Sequence, residues 1–240
     1  MLTQLLEVCF PLACLACQAP LVGNASLCTD CGVALEPLGR STCIRCAEPQ
    51  TPAGTMCERC RLEPLAFNRA LAAYLHGATA AALVHRFKYE DHPELAPGLA
   101  ELTLQALEPL RAFTGIVCAV PLHTKRLRTR GYDQAQLFAK ELARRIEQPF
   151  GGRLLERTVP TAPQVGLSLE ERRTNVRNAF IASPQVVGQD ILLVDDVMTT
   201  GATLDAAARA LQQANARHVF ACAFARAQAR DAGERYGARA

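Results

Sequence analysis

The sequence predicts an α/β protein in which a mostly parallel sheet flanked by helices follows a small cysteine-rich domain. Nine of the eleven cysteines precede residue 61, and from about residue 65 short apolar runs alternate with helix-like segments. Strands that alternate with helices are typical of a parallel sheet. We therefore expect a cysteine-rich domain over 1–63, an α/β domain over 64–226 and a polar tail over 227–240.

The cysteine-rich domain is a two-fold repeat. Eight cysteines form four Cys-x-x-Cys pairs, and adding 29 to the position of each of the first four gives the second four, so that each repeat reads C-x2-C-x10-C-x2-C. The eight are Cys14, Cys17, Cys28, Cys31, Cys43, Cys46, Cys57 and Cys60. Two such pairs complete a tetrahedral sulfur site for zinc. We predict two zinc sites, with the four cysteines of one repeat on one ion or, alternatively, in a crossed arrangement.

Other roles for these cysteines fit the sequence less well. Disulfides need an oxidising compartment, whereas the start of the chain lacks a basic segment and contains Glu7, which is unlike a signal peptide. A thioredoxin-like pair needs one Cys-x-x-Cys on a βαβ unit. Four thiolates leave zinc no open position for chemistry, so the predicted zinc is structural. Cys118 and Cys222 lie in apolar runs and are expected to be buried, inert thiols.

Composition gives no sign of a nucleic-acid-binding protein or of a membrane protein. The net charge of +3 is too small to indicate nucleic-acid binding by itself. No run of eighteen apolar residues is present, so we expect no membrane span. Together with the many cysteines and the missing signal peptide, this predicts a cytoplasmic protein.

The α/β domain contains recognisable elements in order along the chain. Apolar runs predict strands near 69–77, 115–120, 153–158 and 218–226. Amphipathic or Ala/Leu-rich segments predict helices near 79–91, 99–113 and 133–146, and residues 170–180 predict a short basic helix or a mobile loop. The tail after residue 226 is expected to be a frayed helix or disordered.

The segment 190–211, DILLVDDVMTTGATLDAAARAL, carries the strongest functional pattern. The run 191–194 predicts a buried strand, and 204–211 predicts a helix. Asp195 and Asp196 follow the strand, at the edge where open α/β sheets bind ligands. A P-loop would need a glycine before a lysine, and a receiver domain would need a lysine downstream of the acids; the sequence contains neither.

This pattern indicates a site for a ribose 5-phosphate. A loop of small residues that opens a helix presents backbone N–H groups to a phosphate, and two carboxylates beside it can accept hydrogen bonds from the 2′- and 3′-hydroxyls. Cations for a diphosphate follow the strand at 115–120. They are Lys125, Arg126, Arg128 and Arg130.

The stretch ILLVDDVMTTGAT resembles the signature of the type I phosphoribosyltransferases, which bind 5-phosphoribosyl 1-diphosphate (PRPP) with Mg2+. Together with the cysteine pairs and the segments VPLHTKRLRTRGYDQAQLFAKELA and TAPQVGLSLEERRTNVRNAF, nearly the whole chain is similar to the ComF family (ComFC/GntX-like). The resemblance implies a type I phosphoribosyltransferase-like sheet behind a double zinc ribbon. It also implies a link to DNA uptake in natural competence, with single-stranded DNA or DNA-uptake proteins as partners.

The resemblance assigns roles residue by residue. Asp195 and Asp196 would hold the ribose hydroxyls, Arg126 and Arg130 would meet the diphosphate after Pro121, and 164–178 would close over the site. The residues implied to bind PRPP are Thr199, Thr200, Gly201, Ala202, Thr203, Lys125, Arg172 and Arg173. The family's Asn-Gln appears here as Asp133-Gln134, and an aspartate cannot donate as an asparagine does.

Three functions are compatible with these features. The first is a phosphoribosyltransferase that acts on PRPP and an unidentified nucleophile. The second is a PRPP-binding, nucleic-acid-associated competence module without turnover; residues 1–60 carry three positive and five negative side chains, a net −2 that gives it little support. The third is a nucleobase-salvage enzyme, to which zinc ribbons are foreign.

Overall fold

The computed structural model describes residues 13–21, 25–49, 51–158 and 179–227. The strands are β1 (Arg69–Leu75), β2 (Ile116–Ala119), β3 (Leu155–Arg157), β4 (Phe180–Ala182), β5 (Asp190–Met198) and β6 (His218–Arg226). The helices are α1 (Thr29–Ala34), α2 (Glu58–Leu62), α3 (Ala78–Tyr89), α4 (Ala96–Ala106), α5 (Thr124–Arg130), α6 (Gln134–Arg145) and α7 (Ala202–Gln213). Short 3₁₀ turns lie at Pro93–Leu95, Glu108–Ala112 and Pro184–Val186.

Within these residues, four strands form a parallel sheet in the order β1-β6-β5-β2. β5 is therefore a central strand, and its carboxyl end leads directly into the amino end of α7. Strands β3 and β4 pair separately as an antiparallel ribbon. The parallel sheet is buried on both faces, which explains why its strands read as continuous apolar runs.

Alternate residues of the strands separate the core into two layers. Leu192 and Val194 belong to the layer that also contains residues of α3, α4 and α6. Ile191 and Leu193 belong to the opposite layer, which contains residues of α7. This alternation follows from the two-residue period of a strand, and it determines which helices each β5 side chain meets.

The two cysteine repeats lie on opposite sides of the sheet edge formed by β1. Residues 36–38, which join the repeats, bond to that edge: the Leu38 N–H donates to the Ala73 carbonyl (2.9 Å), and the Leu75 N–H donates to the Glu36 carbonyl (2.9 Å). The first repeat packs into the layer of α3 and α4. The second repeat packs into the layer of α7. The linker covers an edge strand that would otherwise expose unpaired backbone groups.

Most predicted elements are present, with three corrections. The strand predicted at 191–194 continues to Met198, so that the acidic pair lies within β5 rather than after it. The helix predicted at 99–113 ends at Ala106 and is followed by a 3₁₀ turn that begins with Glu108-Pro109, because proline cannot continue an α-helix. The strand predicted at 153–158 pairs with β4 and not with the parallel sheet.

Some predictions lie outside the described residues, namely most of the basic segment 170–180 and the tail from 228. Among the helices that are described, none combines the length and apolarity needed to cross a membrane.

Candidate functional site

The loop between β5 and α7 turns through a left-handed glycine at the start of the helix. Gly201 adopts the left-handed conformation (φ 77°) and caps the amino end of α7. A Cβ at this position would lie 3.3 Å from the Met198 Cε atom, and the left-handed φ alone favours glycine. The Thr200 hydroxyl accepts a hydrogen bond from the Ala202 N–H (3.2 Å). The loop thus brings backbone donors and the positive end of the helix dipole to one place.

Asp196 is a buried carboxylate with two polar partners. Only 3% of the residue is exposed. Its Oδ1 atom lies 2.7 Å from the Lys88 Nζ atom, and its Oδ2 atom accepts a hydrogen bond from the Gln134 amide (3.2 Å). Burial lowers the pKa of Lys88, but the neighbouring carboxylates of Asp196 and Asp195 outweigh this and raise it overall, so that the lysine is a cation.

Sequence reasoning missed Lys88 and gave Gln134 no role. The sequence does contain a signal that Lys88 faces the core. It follows Ala80 and Val84 at four-residue spacing on α3, and both of these residues are buried. Gln134 is the first residue of α6, and its side chain reaches Asp196 because that helix begins beside the carboxyl end of β5.

Asp133 acts as a hydrogen-bond acceptor in both of its contacts. This explains why an aspartate can stand where the family has an asparagine. Its Oδ1 atom accepts from the Gln136 N–H (3.1 Å) and caps α6. Its Oδ2 atom accepts from the Leu122 N–H (2.8 Å), which ties the residues after β2 to this helix. Neither contact needs an amide donor, so the aspartate satisfies both.

Asp195 lies in a different environment from Asp196. Consecutive residues of a strand point to opposite faces, and the charges of Lys88 and, to a smaller extent, Arg157 act on Asp195 by lowering its pKa. Its Oδ1 atom accepts from the Asp196 N–H (2.9 Å). Burial and the charge of Asp196 raise the pKa of Asp195 to about 8.

The predicted diphosphate loop after Pro121 forms a short helix, α5, rather than an open loop. Lys125 and Arg126 lie in this helix, and their side chains are outside the described part of the structure. The Arg130 guanidinium donates to the Gln134 Oε1 atom (2.5 Å) and lies 5.0 Å from the centre of the Tyr89 ring. Arg130 is thus one contact away from Asp196.

The remaining predicted residues are distributed as follows. Thr199 and Thr203 are half-buried, and Thr200, Gly201 and Ala202 are buried. Arg172 and Arg173 are outside the described residues.

The eight cysteines form two separate four-cysteine groups, each from one repeat, with the sulfur atoms of a group within 4.8 Å of one another. The Cys17 and Cys28 sulfurs are 3.7 Å apart, and so are those of Cys46 and Cys57. A tetrahedron with Zn–S distances of about 2.3 Å has edges of about 3.8 Å, so both groups fit zinc. The pairing within each repeat is confirmed, and the crossed arrangement is excluded.

The two groups are structurally repeated as well. Gln18 and Ala47, which are 29 positions apart, both have positive φ, of 65° and 53°. Burial opposes ionisation of the first cysteine in each group, but backbone N–H groups outweigh it and lower the pKa of Cys14 to about 6 and of Cys43 to about 7. Thiolate is the form that binds zinc, so the backbone prepares both groups for the metal.

Comparison with known proteins gives family matches over both parts of the chain. The model described as phosphoribosyl transferase domain matches residues 133–239, and that described as double zinc ribbon domain matches residues 5–61. The chain is 31% identical over 200 residues to DNA utilization protein YhgH of Escherichia coli O157:H7, covering 81% of this chain and 88% of that protein. It is 26% identical over 227 residues to competence protein F of Haemophilus influenzae, covering 91% and 98%.

Among solved structures, the glutamine PRPP amidotransferase from B. subtilis complexed with ADP and GMP matches with a TM-score of 0.36 and 21% identity, over 55% of this chain and 26% of that one. This chain therefore spans about a quarter of that protein's length. The relatives and the two family models lead to the same assignment: the chain belongs to the ComF family, in which a double zinc ribbon precedes a phosphoribosyltransferase domain.

Proposed function

We propose that this chain binds PRPP, with Mg2+, at the carboxyl end of β5 and transfers the 5-phosphoribosyl group to a nucleophile. The observation that carries the proposal is the path from Asp195 and Asp196 through a left-handed Gly201 into α7. It combines acceptors for sugar hydroxyls with donors for a phosphate in one turn of the chain.

In this proposal the two carboxylates have different roles. Both oxygens of Asp196 already have partners in Lys88 and Gln134, so it holds its geometry before a ligand arrives. Asp195 uses one oxygen for the Asp196 N–H and keeps the other for a ribose hydroxyl. Because the pKa of Asp195 is raised to about 8, it is also suited to exchange a proton near neutral pH.

The 5-phosphate binds to the turn 199–203. Backbone N–H groups at the start of α7 face the phosphate, and the helix dipole favours its negative charge. Hydroxyls of Thr199 and Thr203 add donors. The buried Thr200 hydroxyl supports the turn from within through its bond to the Ala202 N–H.

The diphosphate is neutralised by cations near Asp196. Arg130 donates to Gln134, which in turn contacts Asp196, and Lys125, Arg126, Arg172 and Arg173 are the further candidates. Mg2+ would arrive with the diphosphate, since Mg2+ uses substrate oxygens and water. When bound, the ion would supply charge stabilisation to the leaving diphosphate.

The reaction is displacement of diphosphate at C1 of the ribose by a nucleophile, through an oxocarbenium-like state. The protein's residues orient the sugar, stabilise the charge of the leaving group and exclude water. Binding of PRPP without turnover is the alternative, and diphosphate release distinguishes the two.

The test is isothermal titration of the zinc-loaded protein with PRPP and Mg2+, run beside the Asp195→Asn/Asp196→Asn double variant. We expect binding by the wild type and a loss of at least tenfold in affinity in the variant. The variant's zinc content and circular dichroism must match those of the wild type. A folded wild type that binds no PRPP would overturn the proposal.

The names of the relatives support a role for this chain in the use of DNA, which we include in the proposal. The ribbon has a net charge of −2 from its side chains over 1–60, so phosphate contacts would come from the arginine-rich segments of the α/β domain. Binding to single-stranded DNA should then weaken modestly as salt increases. Absence of binding to single-stranded DNA at low salt would exclude direct DNA binding, and binding without a salt-dependent slope would exclude contacts to the phosphates.

A further inference from the structure

Arg226, the last residue of β6, is fully buried and has 0% exposure. A buried arginine is costly unless its charge and donors are satisfied. Here they are satisfied largely by the turn that follows β5. The Nη1 atom donates to the carbonyls of Met198 (3.2 Å) and Thr199, and to that of Ala227 (2.5 Å).

The other side of the same guanidinium contacts the second cysteine repeat. The Nε atom donates to the Cys46 carbonyl (3.2 Å), and the Nη2 atom forms an ion pair with the Glu48 carboxylate. Cys46 belongs to the second four-cysteine group. Arg226 therefore connects the backbone of a zinc ligand directly to the backbone of the proposed phosphate turn.

The orientation of the carbonyls determines what this connection does. In a trans peptide the C=O and N–H bonds point in opposite directions. Because Arg226 holds the Met198 and Thr199 carbonyls toward itself, the N–H groups of Thr199 and Thr200 are directed away from it. That is the side on which the proposed 5-phosphate binds.

The first repeat contacts a different element of the α/β domain: the Arg86 guanidinium of α3 donates to the Leu15 carbonyl. The positions equivalent to Glu48 and Arg59 in the first repeat are Ala19 and Asp30, 29 residues earlier. Equivalent cysteines of the two repeats also differ in their exposure to solvent. Cys17 of the first repeat is exposed, whereas Cys46, at the equivalent position of the second repeat, is 0% exposed.

We propose that Arg226 is a positioning residue that couples the second zinc site, and not the first, to the phosphate turn. The inference rests on the proposed binding of PRPP. With the Cys46 carbonyl held by an intact second site, Arg226 keeps the turn in its binding conformation. Coupling between two sites is reciprocal, so bound PRPP must in turn retain the zinc of the second site.

The test follows release of zinc from the full, zinc-loaded chain to the chelator 4-(2-pyridylazo)resorcinol, with and without PRPP and Mg2+. A Cys17→Ser variant, which disrupts the first site, identifies the phase that belongs to the second. We expect PRPP to slow release from the second site roughly tenfold and to leave the first site unchanged.

Glu48→Gln keeps the shape of the side chain but removes the charge that holds the guanidinium. We expect it to abolish the selective retention of zinc while calorimetry still detects PRPP binding, weakened severalfold. Arg226→Lys, which keeps a cation but cannot reach both carbonyls and Glu48, should behave in the same way. Glu36→Gln removes an exposed carboxylate of the same ribbon and should retain the wild-type behaviour.

The outcomes separate the two proposals. If the zinc-loaded wild type binds no PRPP, the proposed function fails and the coupling fails with it. If PRPP binds but slows both zinc ions equally or neither, the coupling is wrong and the proposed function stands. The same holds if Glu48→Gln retains full selective protection.

Discussion

At the scale of single residues, Asp196 shows how the site is prepared before a ligand binds. Its carboxylate is held by Lys88 from α3 and by Gln134 from α6. Partnering of this kind is needed because an unpaired buried charge is very unfavourable. Asp195, one residue earlier, accepts a hydrogen bond from the Asp196 N–H, and its pKa is raised to about 8 as a result of burial and of the charge of Asp196. Adjacent acids thus acquire different chemistry from the two faces of one strand.

Replacing Lys88 tests the buried ion pair. We expect Lys88→Met to reduce the free energy of unfolding by about 3 kcal/mol, because Asp196 would remain buried without its cation. The double variant Lys88→Met/Asp196→Asn should recover most of this loss. The measurement is urea unfolding at pH 7. Lys140→Met, at an exposed lysine, should change stability by less than about 0.5 kcal/mol; equal effects at the two lysines would refute the pairing.

The raised pKa of Asp195 predicts a pH dependence of stability. Between about pH 4, its usual range, and pH 8, the folded state keeps a proton that the unfolded chain has released. The contribution of Asp195 to stability is therefore complete below about pH 4 and is lost as pH rises to 8. Asp195→Asn should be more stable than wild type at pH 8, by on the order of 1 kcal/mol, or about 2–4 °C in Tm.

The control for this experiment has the opposite sign. Hydrogen bonds from Arg217 lower the pKa of Asp190 to about 2. Asp190→Asn should therefore be less stable than wild type at pH 7, and the deficit should shrink as pH falls toward 2. Thermal unfolding across pH 3–8 measures both, and an Asp195→Asn curve parallel to the wild type would show that Asp195 does not titrate as described.

At the scale of secondary structure, the connection from β5 to α7 is the decisive element. The strand continues beyond the apolar run to Met198, and α7 begins at Ala202 after only three residues. So short a connection depends on Gly201, whose left-handed φ of 77° turns the chain into the helix. The continuous apolar run correctly predicted where β5 starts. Its end was not predicted, because pairing with β6 extends the strand through Asp195 and Asp196 to Met198.

Substitution of Gly201 separates backbone strain from function. Gly201→Ala forces an L-residue into the left-handed region and should cost about 1–2 kcal/mol of stability. Gly188 has a similar φ of 69° with open space around its Cβ position, so Gly188→Ala should cost a comparable amount. Only Gly201→Ala should also weaken PRPP binding. Calorimetry and urea unfolding of both variants measure the two effects; equal affinities would exclude the turn from the binding site.

At the scale of the whole molecule, the zinc ribbon is part of the fold and not an appendage. Its two repeats lie on opposite sides of β1 and contribute to different core layers. The ten cysteines of the described residues fall into two chemical classes: eight at the metal sites, and Cys118 and Cys222 within the sheet. Burial raises the pKa of both sheet thiols to about 12.

Alkylation distinguishes these classes. After removal of zinc by a chelator at pH 8, iodoacetamide should modify the ribbon cysteines, because their thiolates lose the metal. Cys118 and Cys222 should remain unmodified in the folded chain and react only after denaturation. Peptide mass spectrometry identifies the modified positions. Rapid labelling of Cys118 in the zinc-loaded protein would contradict its burial in β2.

Much of this protein was determined by local sequence patterns. The 29-residue cysteine register predicted the two metal sites, the apolar runs predicted β2, β5 and β6, and the acidic pair before a glycine predicted the candidate site. Contacts that complete the site depend on the order of strands, because they join residues far apart in the chain: Gln134 with Asp196, 62 positions apart, and Arg226 with Glu48, 178 apart. Local periodicity specifies which face of an element is buried, but only tertiary packing determines which element meets that face, and so which cation each buried carboxylate receives.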